Sequence, residues 1–188
     1  ALIVGLFAVA AFATLRYTAA CPEQPGIGSP DGASRVVFHE CYGDVDVVQL
    51  QRVDTPQPGD DEILISVAAA GVNPLDWHYM RGTPYFMRLM AGIGRPNENR
   101  LGVDFSGVVE AVGSNVRQFK PGDEVFGGRT GAFADYVLLR ETSMLALKPD
   151  NVSHEEAAGI GIAATTALQA LRDEMAEAGK SDLFDALK

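Results

Sequence analysis

The sequence predicts a mainly β protein: a small barrel of short strands with peripheral helices. Three observations carry this. Short apolar runs alternate with other residues at a period of two. Pro-Gly turn signals recur between them, at Pro58-Gly59 and again at Pro121-Gly122. Helical periodicity is confined to one short segment and to the end of the chain.

The strands follow in order. Residues 35–39 (RVVFH) read as the first and residues 45–53 (VDVVQLQRV) as the second. The turn Gln57-Pro58-Gly59-Asp60 places Pro where φ is fixed and Gly where φ > 0 is needed. Ile63, Ile65, Val67 and Ala69 then alternate along a half-buried strand that Gly71-Val72-Asn73-Pro74 ends. Residues 75–81 form a short helix closed by Gly82. A second β block runs through residues 105–112, the turn Lys120-Pro121-Gly122-Asp123, residues 124–126, 133–139 and 144–147. Gly102, Gly107 and Gly113 mark places where a Cβ would not fit. Ser153-His154-Glu155-Glu156 is a capping box that opens a helical pattern reaching about residue 178, with Gly159 and Gly161 as weak points or a kink.

Composition excludes several classes. The chain has 188 residues, 47% hydrophobic and 21% charged, which excludes disorder as its dominant state. Its net charge is −10, and Arg81, Arg88, Arg95 and Arg100 are spread through a loop rather than gathered on one face, so nucleic acid is not an expected partner. Two cysteines exclude a disulfide-rich scaffold and leave a single Cys21–Cys41 bridge open. No CxxC, HxxxH or HExxH groups the ligands of a zinc site.

Residues 1–16 open with the uncharged, almost wholly apolar ALIVGLFAVAAFATL, followed by Arg16, and residues 17–34 are a linker rich in Pro, Gly and Ser. The apolar run is shorter than a hydrocarbon core needs. It reads as a membrane anchor, as the core of a secretory signal cleaved after Thr18-Ala19-Ala20, or as a buried helix. The leading expectation is a membrane-anchored protein with a cytoplasmic domain, because Arg16 lies on the domain side of the run.

Five segments, in order, then carry a resemblance. They are Pro58-Gly59-Asp60-Asp61-Glu62 leading into ILISVAAAGVNPLDW, Gly102-Val103-Asp104-Phe105-Ser106-Gly107 continuing to Gly113, Phe119-Lys120-Pro121-Gly122-Asp123-Glu124-Val125, Gly131-Ala132-Phe133-Ala134-Asp135-Tyr136-Val137, and Ala163-Ala164-Thr165-Thr166-Ala167-Leu168. From about residue 35 to residue 173 the chain resembles the zinc-independent, quinone oxidoreductase-like branch of the medium-chain dehydrogenase/reductase family. The resemblance implies a GroES-like domain over residues 35–150 and, over residues 151–188, a helix that would lead to a cofactor domain. It implies that no metal is held, because Asn73 and Val103-Asp104 stand where the family's zinc enzymes have a Cys and a His-Glu pair.

It further implies hydride transfer from NADPH to a small carbonyl, enone or quinone substrate. Asn73 would face nicotinamide and substrate, Tyr79 would line the cleft, and Thr166 would lie by the cofactor at the hinge. Read as residues alone, Asn73 is a turn residue before Pro74, Thr166 a packed helix residue bonding an i−4 carbonyl, Asp76 a local cap or acceptor and His78 a surface histidine. Too few residues follow Thr166 for a βαβ unit of about 30 residues. The expectation is therefore that the Rossmann domain is absent and that the chain alone binds no NADPH and is inactive. A membrane-tethered, non-catalytic GroES-like binding module, with its exposed face covered in a homodimer, is the alternative.

Overall fold

The structure is a computed structural model that describes Gly5 and residues 33–177. Its strands are β1 (Ser34–Phe38), β2 (Gln49–Val53), β3 (Glu62–Gly71), β4 (Asp104–Val112), β5 (Glu124–Gly128), β6 (Tyr136–Arg140) and β7 (Leu145–Leu147). Its helices are α1 (Pro74–Arg81), α2 (Arg88–Ala91), α3 (His154–Ala158) and α4 (Gly161–Glu177). All strand pairs among the described residues are antiparallel. β1 and β2 form a ribbon, and the larger sheet has the order β6-β3-β4-β5-β7. Bridges from Val36 to Ala134 and from Phe38 to Arg100 tie the ribbon to the loops of that sheet. The mainly β architecture is thus the observed one.

Alternation builds the core. Ile63 and Ile65 of β3, Phe105 and Val109 of β4, Val125, Ala132, Val137 and Leu139 meet in one apolar cluster. β4 is buried on both faces over its first four residues, which explains why its pattern does not alternate there. Phe105 faces the cluster, whereas Asp104 and Ser106 face α3 and α4. The β3–β4 register slips once on each strand, around Glu110 and Ala68. Such bulges re-aim side chains.

Several local expectations change. Residues 45–47 form a 3-10 turn, so the second strand starts at Gln49 rather than residue 45. Gly122 has φ +92, as the turn requires, but Gly59 is not at positive φ. There the turn closes two residues later, through the Glu62 N–H to the Gly59 carbonyl at 3.1 Å, with the Glu62 carboxylate accepting from the Gly59 N–H at 3.0 Å. The C-terminal helical pattern is two helices, broken at Gly159 and Ile160. Ser153 caps α3 as expected: its hydroxyl accepts from the Glu156 N–H at 3.2 Å and its own N–H donates to the Glu156 carboxylate at 2.9 Å.

The expected membrane anchor is corrected. Among the described residues no helix is long and apolar enough to cross a membrane. The run assigned to it, residues 1–16, and the linker to residue 32 lie outside the described residues apart from Gly5. Residues 178–188 also lie outside them. Cys41, 1% exposed, is disulfide-bonded.

One buried base gives the fold a pH dependence. His39 is fully buried at the end of β1, and its Nδ1 donates to the Cys41 carbonyl at 3.0 Å. Its Nε2 has no partner among the described residues. Burial, the dominant cause, holds its pKa below 6.5. Below that value the unfolded chain takes up a proton that the folded chain resists, so stability falls with pH; above it both states are neutral and nothing changes. The melting temperature should therefore drop between about pH 7.5 and about pH 5.5, and His39→Gln should remove part of that drop. Parallel pH profiles for the two proteins would show that His39 is not the group responsible.

Candidate functional site

The site is assembled where β3, β4, α1 and α4 meet. Asn73 ends the extended segment after β3 and is the N-cap of α1, with Pro74 in the first helical turn. Its backbone N–H donates to Asp76 Oδ2 at 2.7 Å. The other oxygen of Asp76 accepts from the Gly102 N–H at 3.1 Å, so this buried carboxylate pins α1 to the segment leading into β4. Asp76 is thus the local cap and acceptor that the sequence indicated. Burial raises its pKa first of all; the Asn73 and Gly102 N–H groups oppose this, and the nearby Asp104 adds to it.

The Asn73 side chain, half-buried, donates from Nδ2 to Asp104 Oδ2 at 2.9 Å. Asp104 is 0% exposed and also accepts from the Ile162 N–H in the first turn of α4, at 3.1 Å to Oδ1 and 3.0 Å to Oδ2. A helix N-terminus favours an anion there. Asn73 and Asp104, both singled out in the sequence, are therefore bonded to each other. Among the described residues, no group of three or more His, Cys, Asp or Glu side chains could hold a metal ion.

Beside Asp104 on the same face, the Ser106 hydroxyl donates to the Val125 carbonyl at 2.9 Å and so accepts from His154 Nδ1 at 2.8 Å. His154 Nε2 lies 3.6 Å from Glu124, which pairs with Lys148 at 2.8 Å. Lys148, first of all, lowers the Glu124 pKa. This network fixes α3 on the sheet.

Tyr79 occupies a different place. It lines a cavity of about 380 Å³, mostly apolar, with Tyr42, Phe86, Met87, Met90 and Glu98 among its walls. The Tyr79 hydroxyl makes no hydrogen bond to another described residue. Asn73 does not line this cavity. Thr166 is exposed on α4, one turn beyond Ile162. The hydrogen bond to an i−4 carbonyl belongs to its neighbour, since the Thr165 hydroxyl donates to the Gly161 carbonyl. The structure thus links Asn73 to the helix of Thr166 through Asp104, and sets Tyr79 apart.

His78 is more ordered than a surface histidine. Its ring stacks on Trp77 at 3.8 Å, and Nδ1 donates to the Thr83 carbonyl at 2.5 Å.

Two residues escaped sequence reasoning. The sequence marks Asp104 only by its resemblance to a zinc-ligand position. A charge at the head of an apolar strand was the available signal. Arg88, which the sequence places in a loop, is buried. Its guanidinium donates to the Gly82 and Arg81 carbonyls at 2.9 and 3.0 Å. It also lies over the rings of Tyr42 and Tyr85, 4.2 and 4.9 Å from their centroids. It closes α1 and shapes the wall that carries Tyr42.

Comparison with known proteins accords with this geometry. Residues 59–150 match the family model "Alcohol dehydrogenase GroES-like domain". The chain is 38% identical over 133 residues to a quinone oxidoreductase of Sus scrofa, covering 69% of this chain and 38% of the relative. It is 35% identical over 153 residues to a chloroplastic NADPH-dependent alkenal/one oxidoreductase of Arabidopsis thaliana, covering 76% of this chain and 38% of the relative. The chain therefore spans about two fifths of the length of these curated relatives. Among solved structures, the quinone oxidoreductase from Coxiella burnetii superposes with a TM-score of 0.65 at 30% identity, covering 74% of this chain and 44% of that one. The match to the GroES-like domain and these relatives identify the chain as a member of the quinone oxidoreductase-like group of medium-chain dehydrogenases/reductases.

Proposed function

We propose that this chain supplies the substrate-facing wall of a zinc-independent, NADPH-dependent oxidoreductase that reduces quinones, enones or aldehydes. The observation that carries this reading is the apolar cavity under Tyr79, of a size that suits a small ring or unsaturated carbonyl. Met87, Met90 and the aromatic rings of Tyr42, Tyr79 and Phe86 make most of its wall, and flexible Met side chains adapt to different ring shapes. In this reading the Tyr79 hydroxyl donates a hydrogen bond to a carbonyl oxygen as negative charge develops on it.

NADPH supplies the hydride in this family's chemistry. The residues here fit its nicotinamide end. After bonding Asp104, the Asn73 amide keeps one N–H and a lone pair on its capping-box oxygen, a donor and an acceptor that match a carboxamide. Thr166, exposed on the helix anchored to the same carboxylate, is proposed to contact the cofactor. The described residues include no parallel β-α-β unit, the element that holds a dinucleotide pyrophosphate. In this reading that end of the cofactor is held by residues other than those described, which on their own do not support turnover.

Methyl-labelled methionine gives the test. In NMR titrations with 2-cyclohexen-1-one and with 1,4-naphthoquinone, Met87 and Met90 should shift saturably while Met144 stays unmoved. Tyr79→Phe should weaken the enone response. Equal shifts with cyclohexene, or shifts confined to Met144, would refute a carbonyl-selective cavity.

A further inference from the structure

We infer that Asp104 is a positioning residue that fixes which end of the Asn73 amide faces outward and couples that choice to the seating of helix α4; this rests on the cofactor-facing role proposed for Asn73. The argument begins with chemistry. An ionised carboxylate only accepts, whereas an amide has a donor end and an acceptor end. Because Nδ2 of Asn73 donates one N–H to Asp104 Oδ2 at 2.9 Å, the nitrogen is held inward, and Oδ1, on the capping-box side toward the Asp76 backbone N–H, keeps a lone pair to accept from a ligand. The inverted amide would set Oδ1 against a buried carboxylate, two acceptors with no proton between them.

The same carboxylate takes the Ile162 N–H on both oxygens. Close packing leaves it little freedom: a Cβ built on Gly161 would lie 2.3 Å from Asp104 Oδ1. It is 0% exposed, and no cation neutralises it among the described ion pairs. Its charge is met only by oriented N–H groups, which stabilise it where they stand and disfavour any other arrangement. Asn73 and the start of α4 are thereby held to one anchor. A displacement of α4 would release the Asn73 amide, and a ligand that engages Asn73 Oδ1 would favour the seated helix.

Asp104→Asn tests the orientation claim with almost no change of shape. An amide at position 104 can donate as well as accept, so Asn73 can then face either way. The experiment uses the whole 188-residue chain and 1-methyl-1,4-dihydronicotinamide, a probe that needs no pyrophosphate holder. In the wild type, a through-hydrogen-bond coupling should link Asn73 Nδ2 to Asp104 Cγ and persist when the probe shifts the Asn73 side-chain resonances. Asn73→Ala should abolish that binding. Asp104→Asn should weaken it about 10-fold, the worth of about one charge-assisted hydrogen bond. The Met87 and Met90 response to enone should stay unchanged in that variant.

Undiminished probe binding by Asn73→Ala would overturn the cofactor-facing role of Asn73. Loss of binding in Asn73→Ala with wild-type affinity in folded Asp104→Asn would overturn the role of Asp104 alone. If Asp104→Asn does not fold, the wild-type coupling decides, and its absence would overturn the proposal.

Discussion

Phe105→Ala should cost about 3–5 kcal/mol of folding stability. Phe105 is 0% exposed and faces the cluster of Ile63, Ile65, Val109 and Val125. Its strand is the central one of the larger sheet, with β3 and β5 hydrogen-bonded on either side and helices behind. A wall held from every direction cannot collapse into the space the ring leaves, so transfer and cavity terms add. Against a total stability of about 5–15 kcal/mol, this is a large share. Denaturant unfolding measures it. A loss below about 1 kcal/mol would mean that β4 is not the centre of the core.

Gly102→Ala is expected to cost about 2–5 kcal/mol, for a different reason. Gly102 has φ +91, and a Cβ there would lie 2.3 Å from the Phe133 backbone nitrogen. A left-handed conformation is unfavourable for an L side chain by roughly 1–2 kcal/mol, and the overpacking adds roughly 1–3 kcal/mol. The neighbour is backbone, so it cannot swing away. The Gly102 N–H also feeds Asp76, and its carbonyl accepts from Gly131 at 2.9 Å and Ala132 at 3.1 Å. Displacing it disturbs the cap of α1, and Asn73 with it. The expected signature is lower stability together with altered Asn73 resonances. Wild-type stability would contradict the close approach.

Residue patterns show why much of the fold was legible and part of the site was not. Ile63, Ile65 and the Pro121-Gly122 turn announce strands and connections through period and backbone restriction, both local properties. Gly102 was legible too, since a glycine before a buried strand has few explanations. Residues 45–47 misled because a run of valines satisfies strand propensity, while the ribbon's pairing with β1 begins only at Gln49. Asp104 and Arg88 were opaque for a deeper reason. Their partners, Asn73 and Ile162 for one and the carbonyls of Arg81 and Gly82 for the other, are chosen by how the chain returns on itself. The Asn73–Asp104 contact spans 31 residues, and no local periodicity encodes it. Tyr79 lines a cavity, but its separation from Asn73 depends on the path of residues 82–98, which no spacing specifies.

The central claim is that this domain forms the substrate side of a quinone or enone reductase. The most direct measurement replaces the matching segment of the porcine quinone oxidoreductase with residues 59–166 of this chain and follows NADPH oxidation. The account predicts turnover that depends on added quinone or enone and falls at least about 10-fold with Asn73→Ala, the loss of about one hydrogen bond to the bound cofactor. A chimera with a native circular dichroism spectrum that binds NADPH yet oxidises none with any quinone or enone would contradict it.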